Sequence, residues 1–281
     1  METEQEDTTN DYVITPMLAI PQQGSSDVSD LFHKYSNFVA ENTKRTDGEN
    51  IIVLDNHPTL STNSFSKFED YLQKTLDDKK ADAQIKTQDP NGGRTRGLLE
   101  GLKETSEDDY VTLLSSDVSL DLTLQQSPDS KLVKTLQNTE GAKFSGPIFD
   151  NTVVKKQQRP TGIDSLKADF DKKRAKIISP NMVSFANPDE VYEEIVRRDD
   201  SFGKDYGQLE SLMLDYTKGS VIDGDVFVHH DKQSALGNAI KSKGRGQMLV
   251  GRQTYTGLFE QNGAIGVANS FTSKDISYIF K

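Results

Sequence analysis

Cysteine is absent from the 281-residue chain. That excludes disulfide cross-links, thiolate catalysis and metal sites built on sulfur. Long hydrophobic runs are missing too, and none approaches the length that spans a bilayer. The opening residues, METEQEDTTND, have neither the basic nor the apolar region of a secretory signal. They read as disordered, and these absences together predict a soluble, cytoplasmic protein. Positive charge is in the minority, with 33 Lys and Arg against 44 Asp and Glu, a net charge of −11. Such a balance argues against general nucleic-acid binding through a basic face. Hydrophobic residues make up only 33% of the chain, yet they are clustered, so a core can form where they gather. The length suits one large domain, or one domain with a small added lobe.

What is present is an alternation. Residues 12–16 read as a short buried strand closed by a proline. Ser25, Ser26 and Asp27 offer N-caps for a helix. In it Val28, Leu31, Phe32, Tyr35, Phe38 and Val39 recur at helical spacing, up to about Asn42. Residues 49–55 form a second buried strand that ends on Asp55 and is broken by Asn56-His57-Pro58. Helical spacing returns over 65–76. A short strand over 83–87, a loop over 89–93, a helix over 95–103 and a strand over 109–114 follow. The order β-α-β-α-β-α-β predicts an α/β fold, with a parallel sheet covered by helices on both faces. In such sheets ligands gather at the carboxyl ends of the strands, and Asp55 and Asp117 both stand at such ends.

The second half is less regular. A helix is expected over 122–137, a strand over 143–149 and an exposed charged helix from 163 onward. Short segments over 175–179 and 182–185 flank a proline. Pro188 opens a helix that runs to 198. Residues 202–207 form a loop, and a helix over 209–216 stops at Gly219. Strands over 221–222 and 226–228 lead into His229-His230-Asp231. The tail carries Lys241, Lys243, Arg245 and Arg252 among glycines. No internal repeat is visible.

Four stretches in this order resemble the GT-A glycosyltransferases, specifically the nucleotide-sugar-dependent family 2. Ile51-Ile-Val-Leu-Asp-Asn-His-Pro-Thr59 is similar to the family's IIVVDNGSTD strand and turn. Asn91-Gly-Gly-Arg-Thr-Arg-Gly-Leu-Leu-Glu-Gly101-Leu is similar to its NxGxxxARNxGL loop and helix start. Leu113-Leu-Ser-Ser-Asp-Val-Ser-Leu-Asp121 resembles the LLNNDVxVD form of its DxD region. Phe202-Gly-Lys-Asp-Tyr-Gly, then Lys218-Gly219, then Val-Phe-Val-His-His-Asp231 resembles its closing acid, glycine and histidine. The resemblance spans about residues 10 to 232. It implies a mostly parallel GT-A sheet over 11–232, with a nucleotide-sugar-binding half over 11–121 and an acceptor half over 122–232. Residues 1–10 stand outside it, as does a C-terminal extension over 233–281 with its basic loop.

The activity implied is transfer of a sugar from a nucleotide-diphosphate donor, most simply a UDP-sugar, to a hydroxyl of a glycan or other acceptor. The leaving diphosphate needs compensating charge, commonly from Mn²⁺ or Mg²⁺, and the acceptor hydroxyl needs a base. Asp117 is the candidate metal ligand, since a hard cation takes carboxylate and phosphate oxygens; the alternative is a simple turn-former. Ser115 stands where many relatives carry the first aspartate of the DxD region, and with Ser116 it could contact the donor. His229 or His230 is the second metal candidate, against a packing or surface histidine. By resemblance Asp205 is the base of an inverting single displacement, with Asp199, Asp200 and Glu210 as rivals. Asp55 would hydrogen-bond the nucleobase, or cap its turn. Pro16, Asn91 and Gly93 belong to the implied donor site. Arg94 and Arg96 could pair with the diphosphate or base, since guanidinium forks suit phosphate, or lie on a solvated face. His33 and His57 read as structural or loop residues.

Two other classes compete. A nucleotidyltransferase uses a similar sheet and one metal, but predicts a glycine-rich, lysine-bearing loop after the first strand; Gly24 is there without a nearby basic residue. A non-catalytic relative that binds glycans or nucleotides is the other, favoured by Ser115-Ser116-Asp117 in place of two acids.

Overall fold

The structure is a computed structural model that describes residues 10–22, 24–56, 60–88, 93–120, 126–149, 181–197, 212, 220–230, 264–265 and 279–280. Four strands and three helices alternate through the first half: β1 (Asp11–Leu18), α1 (Asp30–Thr43), β2 (Glu49–Asp55), α2 (Thr62–Lys79), β3 (Gln84–Gln88), α3 (Gly93–Leu102) and β4 (Tyr110–Leu114). Then come β5 (Val118–Leu120), α4 (Pro128–Gln137), β6 (Phe144–Phe149), β7 (Met182–Ala186), α5 (Pro188–Arg197) and β8 (Ser220–His230), with a separate pair formed by β9 (Ala264–Ile265) and β10 (Ile279–Phe280). The main sheet has eight strands in the order β3-β2-β1-β4-β7-β6-β8-β5. β3, β2, β1 and β4 are parallel to one another. β7 runs antiparallel between β4 and β6, and β6 pairs parallel with β8.

The period of two along each strand divides the core. In β2, Ile51 and Val53 join one hydrophobic cluster while Ile52 and Leu54 join another. The first cluster packs α3 and α5 through Leu98, Leu102, Val191 and Ile195. The second packs α1 and α2 through Phe32, Tyr35, Phe65, Phe68, Leu72 and Leu76. The rings of Phe32 and Phe68 meet edge to face, 5.0 Å apart, which ties the two helices together. A third cluster joins Val13 and Leu114 to Val118 and Leu120 of β5, Leu132 of α4 and Val226 and Val228 of β8. Among the described residues no helix is long and apolar enough to cross a membrane.

Several elements depart from the sequence expectation. β1 continues two residues past Pro16. Its pairing with β4 ends at Ile14↔Leu113, so at Pro16 only β2 remains alongside, where a missing N–H is tolerated. The cap of α1 is Ser29, not Ser25, Ser26 or Asp27: its Oγ accepts from the Phe32 amide at 3.1 Å and donates to the Ile20 carbonyl at 2.7 Å. α4 begins at Pro128 rather than 122, because proline suits the first helical turn and disfavours helix just before it. The two expected strands at 221–222 and 226–228 are one strand, which absorbs Asp223-Gly224-Asp225 at a register shift against β6 between Pro147 and Ile148. β5 was not anticipated at all. The expected helices from 163 and over 209–216 lie outside the described residues, apart from Leu212, which is helical and buried.

Candidate functional site

The carboxyl ends of β1, β2 and β3 are level with one another. Leu18 pairs with Asp55, and Asp55 with Gln88. Ile14 pairs with Leu113, so Ser115-Ser116-Asp117 follows β4 on the same edge. With strands about 4.8 Å apart, two spacings separate β2 from β4, about 10 Å. Asp55 is buried, as is Asn56 beside it, whose amide donates to the Gln88 carbonyl at 3.0 Å.

α3 reaches this edge because of two glycines. A Cβ on Gly101 would lie 2.6 Å from Ile14 Cγ2, and one on Gly97 would lie 3.0 Å from the Pro16 Cβ. The helix therefore rests directly on β1, passing Pro16 before Ile14. Its first turn, from Gly93, directs its amides and the positive end of its dipole toward the carboxyl edge. Within that turn Thr95 is buried and its Oγ1 has no hydrogen-bond partner among the described residues. Arg96 is exposed. Asn91 and the side chain of Arg94 lie outside the described residues.

The Asp117 turn is held at both ends. At its entry the Ser115 amide donates to the Asn181 carbonyl at 2.8 Å, and Ser115 Oγ to Asn181 Oδ1 at 3.5 Å. The Val118 amide closes the turn onto the Ser115 carbonyl at 3.0 Å. Ser115 is thus buried and engaged by protein, while Ser116 and Asp117 are half-buried. At the exit, β5 pairs antiparallel with the end of β8, Val118 opposite His230 and Ser119 opposite His229. The pairing brings the backbone of the two histidines beside the residue that follows Asp117. Nothing in the intervening sequence spacing announces this neighbourhood.

On its other side β5 has no strand among the described residues. Asn42, in the last turn of α1, takes that place: Nδ2 donates to the Val118 carbonyl at 2.7 Å and Oδ1 accepts from the Leu120 amide at 3.2 Å. Arg45 Nη1 donates to the Leu120 carbonyl at 3.0 Å. Sequence reasoning missed Asn42 and Asn181. Asn42 was legible only as a helix end, since a side-chain amide carries no spacing signal for a partner 76 residues away.

Asp205, like its rivals Asp199, Asp200 and Glu210, lies outside the described residues, as do His57 and the basic tail. The side chains of His229 and His230 do too. His33 stacks on Tyr71 with centroids 4.4 Å apart, away from any site role. Among the described residues no group of three or more His, Asp or Glu could by itself hold a metal ion.

The fold is similar to those of solved structures. One is the crystal structure of GalNAc-T7 with UDP, GalNAc and Mn²⁺, at TM-score 0.52 and 10% identity, covering 91% of this chain and 48% of that one. The chain has a GT-A-like fold. Glucosyl-3-phosphoglycerate synthase from Mycobacterium tuberculosis aligns at TM-score 0.49 and 12% identity, over 96% of this chain and 87% of that one. The inositol-1-phosphate CTP transferase from T. maritima aligns at 0.45 and 12%, over 90% and 97%. No protein-family model matches the chain, and no curated protein matches it in sequence. The GT-A-like architecture therefore rests on shape, and identities this low carry the fold alone.

Proposed function

We propose that the chain is a metal-dependent glycosyltransferase that moves a sugar from a UDP-sugar to a hydroxyl of a glycan or other acceptor. The observation that carries this reading is the pairing of β5 with the end of β8. It brings Asp117 and the His229-His230 pair to one region, on the edge that also carries Asp55 and the start of α3. Asp55 accepts a hydrogen bond from the nucleobase. The diphosphate spans toward Asp117, beside the amides of the first turn of α3 and the guanidinium groups of Arg94 and Arg96. Pro16, Asn91, Gly93 and Ser116 line the same donor site, and Ser115 supports it through Asn181.

The donor set fits a hard divalent cation. The chain offers carboxylate oxygen and imidazole nitrogen and no thiolate. Asp117 with His229 or His230 would hold Mn²⁺ or Mg²⁺, and the ion would offset the charge that builds on the leaving diphosphate. Phosphate oxygens of the donor would complete the ion's oxygen ligands, so metal and nucleotide would bind together. Asp205 takes the proton from the acceptor hydroxyl as it attacks the anomeric carbon opposite the diphosphate, which gives inversion.

The test is a thermal-shift screen of nucleotide sugars with and without Mn²⁺. A donor present at a hundred times its Kd stabilises the fold by about 2.7 kcal/mol. The expected result is a higher melting temperature with one UDP-sugar, greater with Mn²⁺ and lost in Asp117→Ala. No shift with any nucleotide sugar refutes the reading. A shift with a nucleoside triphosphate alone redirects it to nucleotidyl transfer.

A further inference from the structure

The Asp117 turn has two clamps, and one is a single side chain from another layer of the fold. Alternate residues of a strand direct their amide groups to opposite edges. Ser119 therefore meets β8, while the Val118 carbonyl and the Leu120 amide face α1. Both hydrogen bonds that they form with Asn42 are buried, and Asn42 itself is buried. A carboxamide presents an N–H donor and a C=O acceptor side by side, so one side chain can serve a carbonyl and an amide of the same strand edge. Among the described residues Asn42 thus stands where a neighbour strand of the three-residue β5 would be. Its loss leaves a carbonyl and an amide buried without partners, which a strand so short cannot absorb in place. The element released is the one that carries the Asp117 turn at one end and meets His229 and His230 along its length.

We propose that Asn42 is a positioning residue for metal and diphosphate: by tying β5 to α1 it holds Asp117 against the end of β8. This rests on the metal-dependent reading given above. It makes a separable demand, that metal binding depends on a residue which touches neither metal nor nucleotide. Arg45 assists from the same helix end through the carbonyl of Leu120, whose amide donates to Asn42.

The test is Mn²⁺ titration of the full chain with UDP present, followed by electron paramagnetic resonance, beside UDP titration without metal. Four variants are compared with the parent. Asn42→Ala removes both hydrogen bonds. Asn42→Asp keeps the acceptor for the Leu120 amide and sets a carboxylate oxygen in place of the donor to the Val118 carbonyl. Asn42→Ser, which is smaller and uncharged, reports if neither of the other two folds. Asp109→Ala is the control. Asp109 is equally buried and also ties two backbone groups, the amides of Asn10 at 3.0 Å and Ser106 at 2.7 Å, but at the opposite end of β4. The proposal expects the folded Asn42 variants to weaken Mn²⁺ binding in the presence of UDP at least tenfold, with UDP affinity without metal changed less than twofold. Asp109→Ala should lower stability and leave Mn²⁺ affinity at the parental value. If the parent binds Mn²⁺ with UDP and the folded Asn42 variants bind it equally well, the proposal falls and the functional reading stands. It falls in the same way if Asp109→Ala weakens the metal as much as the Asn42 variants do. A parent that binds no Mn²⁺ with UDP removes the functional reading and this inference with it.

Discussion

Gly101→Ala sets two opposed effects against each other, and the contact distances decide the sign. Alanine is favoured over glycine in a helix interior by about 1 kcal/mol. If α3 were limited by propensity, the substitution would stabilise the protein by that amount. The new Cβ, however, would lie 2.6, 2.9 and 3.1 Å from the Cγ2, Cδ1 and Cγ1 of Ile14. Favourable carbon contacts begin near 3.5 Å, so the overlap is close to an ångström and involves the whole side chain. Ile14 is fully buried, and its backbone is paired with β2 on one side and β4 on the other. It has no room to retreat. Overpacking in such a site costs about 1–3 kcal/mol, and three simultaneous contacts put the figure near the upper end. The net expectation is a loss of about 2 kcal/mol, read as a lower urea midpoint with an unchanged slope. The companion measurement repeats the substitution in an Ile14→Ala background. There the steric conflict is gone and Gly101→Ala should stabilise by about 1 kcal/mol. An unchanged or raised midpoint for Gly101→Ala in the parent background refutes the close-approach account of α3.

Asp129 Oδ2 accepts from the amides of Asp47 and Gly48, each at 3.0 Å, so Asp129→Ala should lower stability by about 2–3 kcal/mol in urea titration. Burial holds the Asp129 carboxyl above the usual carboxylate range, and backbone hydrogen bonds only partly offset that. Asp11 is raised likewise, first by burial and then by Asp109 and Asp47. A carboxyl whose pKa is higher folded than unfolded binds protons more tightly when folded. Its contribution to stability therefore grows as pH falls through the folded pKa toward the unfolded one. Asp129→Asn keeps an acceptor for both amides, and as pH falls over that interval the urea midpoint of the parent should rise relative to that of the variant. Ser29→Ala removes the cap of α1 and the bond to the Ile20 carbonyl, and about 1 kcal/mol of stability should go with it in the same titration. A drop under about 0.3 kcal/mol would remove the capping argument.

The first half of the fold was legible because its signals are local. β2 is a continuous apolar run, since both its faces are covered, and its limits at Glu49 and Asp55 agree with expectation. α1 and α2 declare themselves by aromatic residues at helical spacing. Asp55 and Asp117 were found by standing at strand ends, which follows from chain order once the strands are known. β5 was illegible for the opposite reason. Three residues have no period, and Val118–Leu120 is a strand only because β8 and Asn42 supply its hydrogen bonds from far away in sequence. β8 looked like two strands because Asp223-Gly224-Asp225 carries turn chemistry, which pairing with β6 overrides.

The sequence by itself determined the parallel β1–β4 sheet, the helices that cover it and the acids at its carboxyl edge. Each follows from hydrophobic period and chain order over a few tens of residues. Only the tertiary structure decided which distant segments meet at Asp117. Val118 lies against His230 on one side and Asn42 on the other. That neighbourhood arises because a short edge strand must satisfy its buried amides with whatever the fold brings beside it.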